Sequence, residues 1–398
     1  MTAPRFIQIH FLTSFAGVLL NRDDAGLAKR LTYGGAVRTR VSSQSLKRHW
    51  RTAADHRSFA ATEAPLSVRS RAIVEYLILP QLAELAPQVS TEVREAAGAA
   101  LSRALYGQKA DDKSKRQALL LGFREVEYLT QFLATLLTEP HDEKSIADAV
   151  ADALKKSDGK ARLSIIKESA GHLAAGLEAA LFGRMITSDP AANTDAALHV
   201  AHAFTVHEQE SETDYFTVVD DLTNADDAAD SGSAGIFDTE LTSGLFYGYV
   251  VVDVPLLVAN LTGQPISAWD VADTDRALAA RVVEHLVHLI ATVSPGAKRG
   301  STAPYAYAST LLIEAGDRQP RSLAAAFEAP VRRTRGESAS VQSERRLQDH
   351  LAAMDGAYGG GESRRGLSIH SNSLAGSGTL ALDALASWAA ERVATASL

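Results

Sequence analysis

The chain has 398 residues, 46% of them apolar and 22% charged, with a formal net charge of -8 and no cysteine. This is a globular composition, long enough for a large buried core and for two or three domains. It leaves out disulfides and thiolate metal sites, fits a reducing cytoplasm, and its longest apolar runs, such as Tyr249 to Val252, are far too short to cross a bilayer.

Arg5 to Phe15 alternates as a strand, with Phe6, Gln8 and His10 against Ile7, Ile9 and Phe11, and lacks the apolar core and cleavage site of a signal peptide. His10 is expected to be a packed strand residue. From Asn21 to Arg51 the chain turns basic: Arg22, Lys29, Arg30, Arg38, Arg40, Lys47, Arg48 and Arg51 stand against Asp23 and Asp24 alone. Residues 1 to 57 hold ten Lys or Arg and three Asp or Glu, a balance of +7 that leaves -15 for the remainder. An acidic body with one basic strip suits a protein that holds a polyanion in one track.

Within that strip, Tyr33-Gly34-Gly35 permits a tight turn, and Arg38 to Val41 alternates as a strand with both arginines on one face. Ser42 and Ser43 are N-cap candidates for a helix running Ser43 to Arg57. At about 100° per residue, Gln44, Lys47, Arg48 and Arg51 share one arc, and Leu46, His49, Trp50 and Ala53 lie opposite. Free N–H groups at the helix start, two hydroxyls and a cationic ridge suit a phosphodiester backbone; the plainer alternative is a solvated amphipathic helix. Asp23-Asp24 is expected to order the loop through ion pairs with Arg22.

From about Pro65 to Arg184 the pattern is helical. The spacing predicts helices over Val68–Leu85 (kinked at Pro80), Thr91–Tyr106, Lys115–Leu137, Ser145–Lys156 and Leu163–Phe182. Lys155, Lys156, Lys160 and Arg162 form either a solvated loop or a guide for a second nucleic-acid strand.

No Lys or Arg occurs between Met185 and Arg276, while carboxylates accumulate from Glu208 to Glu240. Leu198–His207 and Leu245–Val254 read as strands. Between them lies an excursion with Phe216-Thr217-Val218-Val219 in one arm and Ile236-Phe237 in the other. Apolar residues on so acidic a loop either pack on their own domain or meet a partner; against RNA they would wedge or stack bases, not grip phosphates. Further on, the pattern predicts a helix at Thr274–Thr292, a Lys298-Arg299-Gly300 loop within reach of a phosphate, an extended segment to Leu312, and helices at Glu337–Met354 and Leu380–Thr395. Gly359 to Gly361 before Arg364-Arg365 reads as a mobile surface segment.

Little points to chemistry. His199 and His202 fall on opposite faces of a strand, so with His207 they make a poor metal set, and His285-x-x-His288 is bedded in apolar residues. The pairs Asp220-Asp221 and Asp226-Asp227 would hold Mg²⁺ only with further carboxylates alongside. Neither a Walker A motif nor a nucleophile elbow is present. No cofactor, metal or catalytic residue is expected.

Asn21 to Asp24, Tyr33-Gly34-Gly35 and Arg40 to Arg51 resemble, in order, the N-terminal signature of the CasC family, the backbone subunit of the type I-E CRISPR Cascade complex. Phe182-Gly183-Arg184-Met185, Asp214 to Leu222 and Pro295 to Lys298 continue the resemblance over most of the chain. It implies an α+β fold: an RRM-like (ferredoxin-like) palm at 1–59, 185–208 and 241–398, a large helical fingers insertion at 60–184 and a β-hairpin thumb at 209–240. It also implies a non-catalytic cytoplasmic protein that polymerises with further copies of itself along one CRISPR RNA in a helical filament. Partners would be that RNA, target DNA through the guide and other Cascade subunits, with no membrane. Carried over by motif, Arg22, Lys29, Ser42, Ser43, Gln44, Lys47, Arg51, Lys298 and Arg299 would contact RNA. Met185, Phe216, Thr217 and Ile236 would line the kink. Tyr33 departs from the family's Phe before the glycines, and the aromatic pattern of ordinary RRMs is missing, so base stacking on the sheet is not expected. An RNA-cleaving relative using Asp214 or Asp220, and a generic single-strand RNA-binding protein, are the competing readings.

Overall fold

The computed structural model describes residues 4–154, 171–186, 189–219, 233–332 and 334–395, with backbone only at 217–219 and 233–236. At its centre is β1 (Phe6–Val18), whose Ile7, Ile9 and Leu12 are fully buried. It pairs antiparallel with β9 (Ser233–Asp253) on one side and β10 (Ala308–Gly316) on the other, so that Ile9 lies between Val250 and Ile313. Beyond β10 lies β11 (Ser363–Ser368); beyond β9 come β7 (Ala203–Thr205), β3 (Ala36–Val41) and β2 (Arg30–Tyr33). β6 (Leu198–Val200) and β8 (Glu210–Val219) also pair with β9.

The fold is α+β, one large antiparallel sheet with helices on both faces. On one face, Ile7, Ile9, Phe11, Val250 and Ile313 meet α1 (Ser43–Arg51), α6 (Leu177–Phe182), α7 (Val254–Thr262), α8 (Ala277–Thr292) and α10 (Leu382–Ala394) through Leu46, Trp50, Leu181, Leu257, Leu286 and Leu385. On the other, Leu12, Phe204, Tyr247 and Leu312 lie under Phe327 and under Leu347 and Leu351 of α9 (Ala339–Tyr358). Cover on both faces explains why β1 is buried along both sides, Gln8 and His10 included. The polar cluster that enters the sheet at His10 is paired. His10 is fully buried between Tyr247 Oη (2.9 Å) and Glu314 Oε2 (3.2 Å). Glu314 also accepts from Arg321 and Arg364. Burial opposes the Glu314 charge, but hydrogen bonds from His10 and Arg321 and the nearby arginine charge hold its carboxyl well below the usual range; burial pushes His10 down.

A second core forms in the helical block: α2 (Leu79–Leu85), α3 (Thr91–Tyr106), α4 (Phe123–Leu136) and α5 (Glu143–Leu154) gather around Ile78, Leu101, Leu129, Leu133 and Ile146. Two expected helices start later than their periodicity predicts. Ser67–Ser70 (β4) and Leu119–Gly122 (β5) instead form a two-stranded ribbon, since a short apolar run such as Leu119-Leu120-Leu121 fits strand and helix equally. Pro80 sits in the first turn of α2, and the chain before it widens into a π-helical turn at Val74–Ile78. Proline cannot donate to the carbonyl four residues back, and the wider turn takes up the misfit.

α1 ends at Arg51, not Arg57, because the chain after it docks on α8: Arg57 pairs with Glu284 (3.0 Å) and His285 Nδ1 donates to Ser58 O (3.0 Å). The expected strand at Leu198–His207 breaks into β6 and β7, and at the break His202 accepts the Ser43 N–H. The exposed Gly359-Gly360-Gly361 run leads into Ser363–Ser368, an edge strand fastened by Arg364 to Glu314 (2.6 Å) and to Asp355. β9 is longer than its expected core: its first half, Ser233–Ser243, pairs with β8 in a hairpin that extends from the sheet. Lys155, Lys156, Lys160 and Arg162, and the pairs Asp220-Asp221 and Asp226-Asp227, lie outside the described residues. Among the described residues, no helix is long and apolar enough to cross a membrane.

Candidate nucleic-acid interface

The basic strip folds around an open groove of about 640 Å³, lined by Asn21, Arg22, Ser42, Gln44, Arg48 and Ala297 among others. Ser42 caps α1, its Oγ accepting from Ser45 N (3.2 Å). Ser42 N donates to Asn21 Oδ1 and Ser43 N to His202 Nδ1, both at 2.9 Å. The expectation of free N–H groups at this helix start is therefore corrected: protein atoms take most of them, and the groove's anion chemistry rests on side chains. The preceding loop is ordered by the Asp23 carboxylate accepting from Ala25 N (3.0 Å) and Leu27 N (2.9 Å), not by ion pairs with Arg22.

Two cations of the strip are spent internally. Arg38 is fully buried and donates to the carbonyls of Thr205, Phe327 and Glu328, so Arg38 and Arg40 do not form a shared cationic face. The Gly34 turn lies against that same Glu328 carbonyl, 1.6 Å from where a Cβ would sit, and Gly34 has φ +59°, so only glycine fits. Arg30 pairs with the buried Glu240, which also accepts from Ala28 N at 2.7 Å. On α1, Gln44 and Arg48 are exposed along the groove, whereas Lys47 and Arg51 are half-buried on its flank. Lys47 Nζ stands 6.0 Å from the Phe182 ring centre. Burial lowers the pKa of Lys47 and of Arg51; for Arg51, Glu178 pulls upward while Arg69 and Arg48 push further down.

Opposite α1, the 294–302 loop is fastened to the groove by Gly296 N donating to His49 Nε2 (3.3 Å) and Ala297 N to Leu19 O (2.9 Å). His49 donates from Nδ1 to Ser45 O (2.7 Å), and burial lowers its pKa, which fits a neutral ring. Lys298, in a left-handed conformation, donates to Thr239 Oγ1 at the base of the hairpin, and its Nζ lies 5.6 Å from the Phe216 ring centre. Phe216 stacks on Phe237 directly across the ladder, with centroids 5.7 Å apart and planes at 25°. Phosphate-seeking and base-seeking groups thus share one edge of the molecule.

A family model described as CT1975-like protein matches residues 7–390. The chain belongs to the CT1975-like protein family. A chain of a solved structure named "CRISPR RNA-guided surveillance complex, pre-nicking" is similar to it at 26% identity, covering 96% of this chain and 100% of that one with a TM-score of 0.72. A second, from a structure named "CRISPR RNA-guided surveillance complex", shares the fold at 22% identity, 96% and 99% coverage and a TM-score of 0.62. Comparison with curated proteins finds no match.

In this CT1975-like protein the tertiary structure gathers Arg22, Ser42 and Gln44 in the groove, brings Lys298 to Phe216, and leaves Arg299 exposed beside them. Lys29 and Ser43 are half-buried near the groove, and Lys47 and Arg51 turn to the flank. Met185 is 70% exposed next to Arg184, whose guanidinium is buried against the Glu125 carboxylate at 2.7 Å. Thr217 and Ile236 pair on the rung beyond Phe216, and the ring that faces Phe216 is that of Phe237. Arg48, which the helical arc places on the cationic ridge, and Phe237, which lies in the apolar arm of the hairpin, are absent from the site residues that the family resemblance implies. The i,i+4 relation of Arg48 to Gln44 was the available signal for the first, and cross-strand register, which the sequence does not state, for the second. His202 accepts from Ser43 N, and His207 accepts from Leu245 N and donates to Glu208 O; among the described residues no group of three or more His, Asp or Glu could hold a metal ion.

Proposed function

We propose that this protein is the CRISPR RNA-binding backbone subunit of a type I-E Cascade effector, working without catalysis in the cytoplasm. The observation that carries this reading is the meeting of a cationic groove with an aromatic hairpin base: Arg22, Gln44 and Arg48 on one side, Lys298 and the Phe216–Phe237 pair on the other. Likeness to a chain of a CRISPR RNA-guided surveillance complex supports RNA as the polyanion. On this reading the large sheet with its helices is an RRM-like palm, the second core the fingers, and β8–β9 the thumb.

Arg22, Lys29, Ser42, Ser43, Gln44 and Arg48 hold phosphate and ribose, Lys47 and Arg51 extend the track along the flank, and Lys298 and Arg299 approach from the far side. Backbone contacts are blind to sequence, so any guide can be carried and target DNA is read by pairing. Met185, Phe216, Thr217 and Phe237 kink the guide at intervals. Further copies continue the track as a helical filament, and other Cascade subunits close its ends.

Co-expression with a CRISPR transcript tests this. The expected outcome is co-purification with RNA of uniform length, showing nuclease-accessible positions at a regular interval. RNA of mixed length bound to monomers would favour a generic single-strand binder. Mg²⁺-dependent cutting of bound target at regular intervals would favour an RNA-cleaving relative using Asp214 or Asp220.

A further inference from the structure

The turn that carries Lys298 continues into a segment that the proposed function leaves unused. Lys298 (φ 50°) and Ala303 (φ 39°) are two of the four non-glycine residues with positive φ among the described residues, and they bracket the single helical turn Arg299–Thr302. Such backbone persists only where its surroundings over-determine it, and it concentrates at functional sites. Here the surroundings are specific. Pro304 is buried beneath Gly296, where a Cβ would meet Pro304 Cγ at 2.6 Å. Ser294 Oγ both donates to Ala306 O and accepts from Ala306 N at 2.9 Å, and Tyr305 N donates to Ala303 O at 2.7 Å.

That scaffold displays two rings. Pro304 and Ala308 are buried and Ala306 is half-buried, while Tyr305 and Tyr307 between them are 73% and 74% exposed. This alternation is that of extended chain, in which residues two apart share a side and stand about 6.6 Å apart along the backbone. The spacing is roughly twice the 3.4 Å rise between stacked bases, so one base fits between two such rings. Isolated aromatic rings beside exposed cations are a poor match to a protein-docking patch, which needs contiguous apolar surface. The neighbours here are the exposed Arg299, Gly300 and Ser301, and the loop is tied to the groove at His49 and Leu19.

We propose that Tyr305 and Tyr307 form a stacking platform for unpaired nucleobases of the single-stranded RNA whose phosphates lie against Lys298 and Arg299. The proposal rests on the functional reading above. Every base has a π face, so the platform is sequence-tolerant, as the phosphate contacts are.

The test uses the full chain and single-stranded RNA carrying 2-aminopurine at successive positions. Wild type should quench the fluorophore at particular positions. Tyr305→Ala with Tyr307→Ala should abolish that quenching and weaken binding by roughly tenfold per ring, with the salt slope unchanged because no cation is removed. Tyr305→Phe with Tyr307→Phe keeps both rings and should bind and quench as wild type, and both exposed positions tolerate either change without loss of fold. Alanine variants that quench and bind normally would overturn the platform while leaving the RNA-binding function intact. So would alanine variants that change self-association alone, which would mark a protein-docking face. Wild type that fails to bind single-stranded RNA would sink the functional reading, and the platform with it.

Discussion

Lys47 and Arg48 are chain neighbours with different surroundings. Arg48 shares a row of α1 with Gln44 and faces the groove, while Lys47 shares the next row with Arg51 and lies toward Phe182. Arg48→Ala is therefore expected to weaken RNA binding evenly across guide sequences and to reduce the single-strand salt slope by about 0.7, with a smaller change for Lys47→Ala. Salt titrations of both variants check this; a larger slope change for Lys47 would move the phosphate track to the flank. Arg184 precedes the exposed Met185 and is itself buried. Its guanidinium is 2% exposed against a 1% exposed Glu125 carboxylate and also donates to Ala192 O. Arg184→Ala leaves that carboxylate buried and unpaired, at a cost of about 3–5 kcal/mol in denaturant unfolding, whereas Arg184→Met with Glu125→Leu should recover most of it. A loss under about 1 kcal/mol for the single variant would contradict the pairing.

The hairpin gains its direction from β9, which is one continuous strand from sheet to hairpin: Val250 pairs with Ile9 in the core, and Phe237 pairs with Phe216 beyond it. The base of the hairpin is held from two sides, by Glu240 to Arg30 and by Thr239 to Lys298. The Phe216 and Phe237 rings are 40% and 50% exposed, so their pairing contributes little to the fold, under about 1 kcal/mol. Phe216→Ala or Phe237→Ala should leave the melting temperature and most RNA affinity in place and remove the regular pattern of exposed guide positions. Loss of affinity with the pattern retained would reverse the roles assigned to groove and hairpin.

Across the molecule, burial lowers the pKa of His10, His49 and His288. The unfolded chain then takes up these protons before the native chain does, so stability is fully present above about pH 7 and falls as pH drops below about 6.5. Glu314, held down by its partners, adds a further loss below about pH 4.3. Urea midpoints at about pH 7.5 and pH 5.5 should show the first decline, and a flat profile would mean that these histidines are protonated in the native state. Strand β1, helix α3, the Ser42 cap and the buried Leu46–Trp50 stripe could be read from the chain, because each depends on residues within a turn or two of one another. So could the two arms of the hairpin and the polarity of the groove. The fates of individual charges could not. Arg38 lies among the carbonyls of Thr205, Phe327 and Glu328, Arg364 against Glu314, and Lys298 against Thr239. Local period and capping are properties of sequence alone, whereas whether an arginine greets a phosphate or fills a core depends on which distant acceptor the folded chain brings to it.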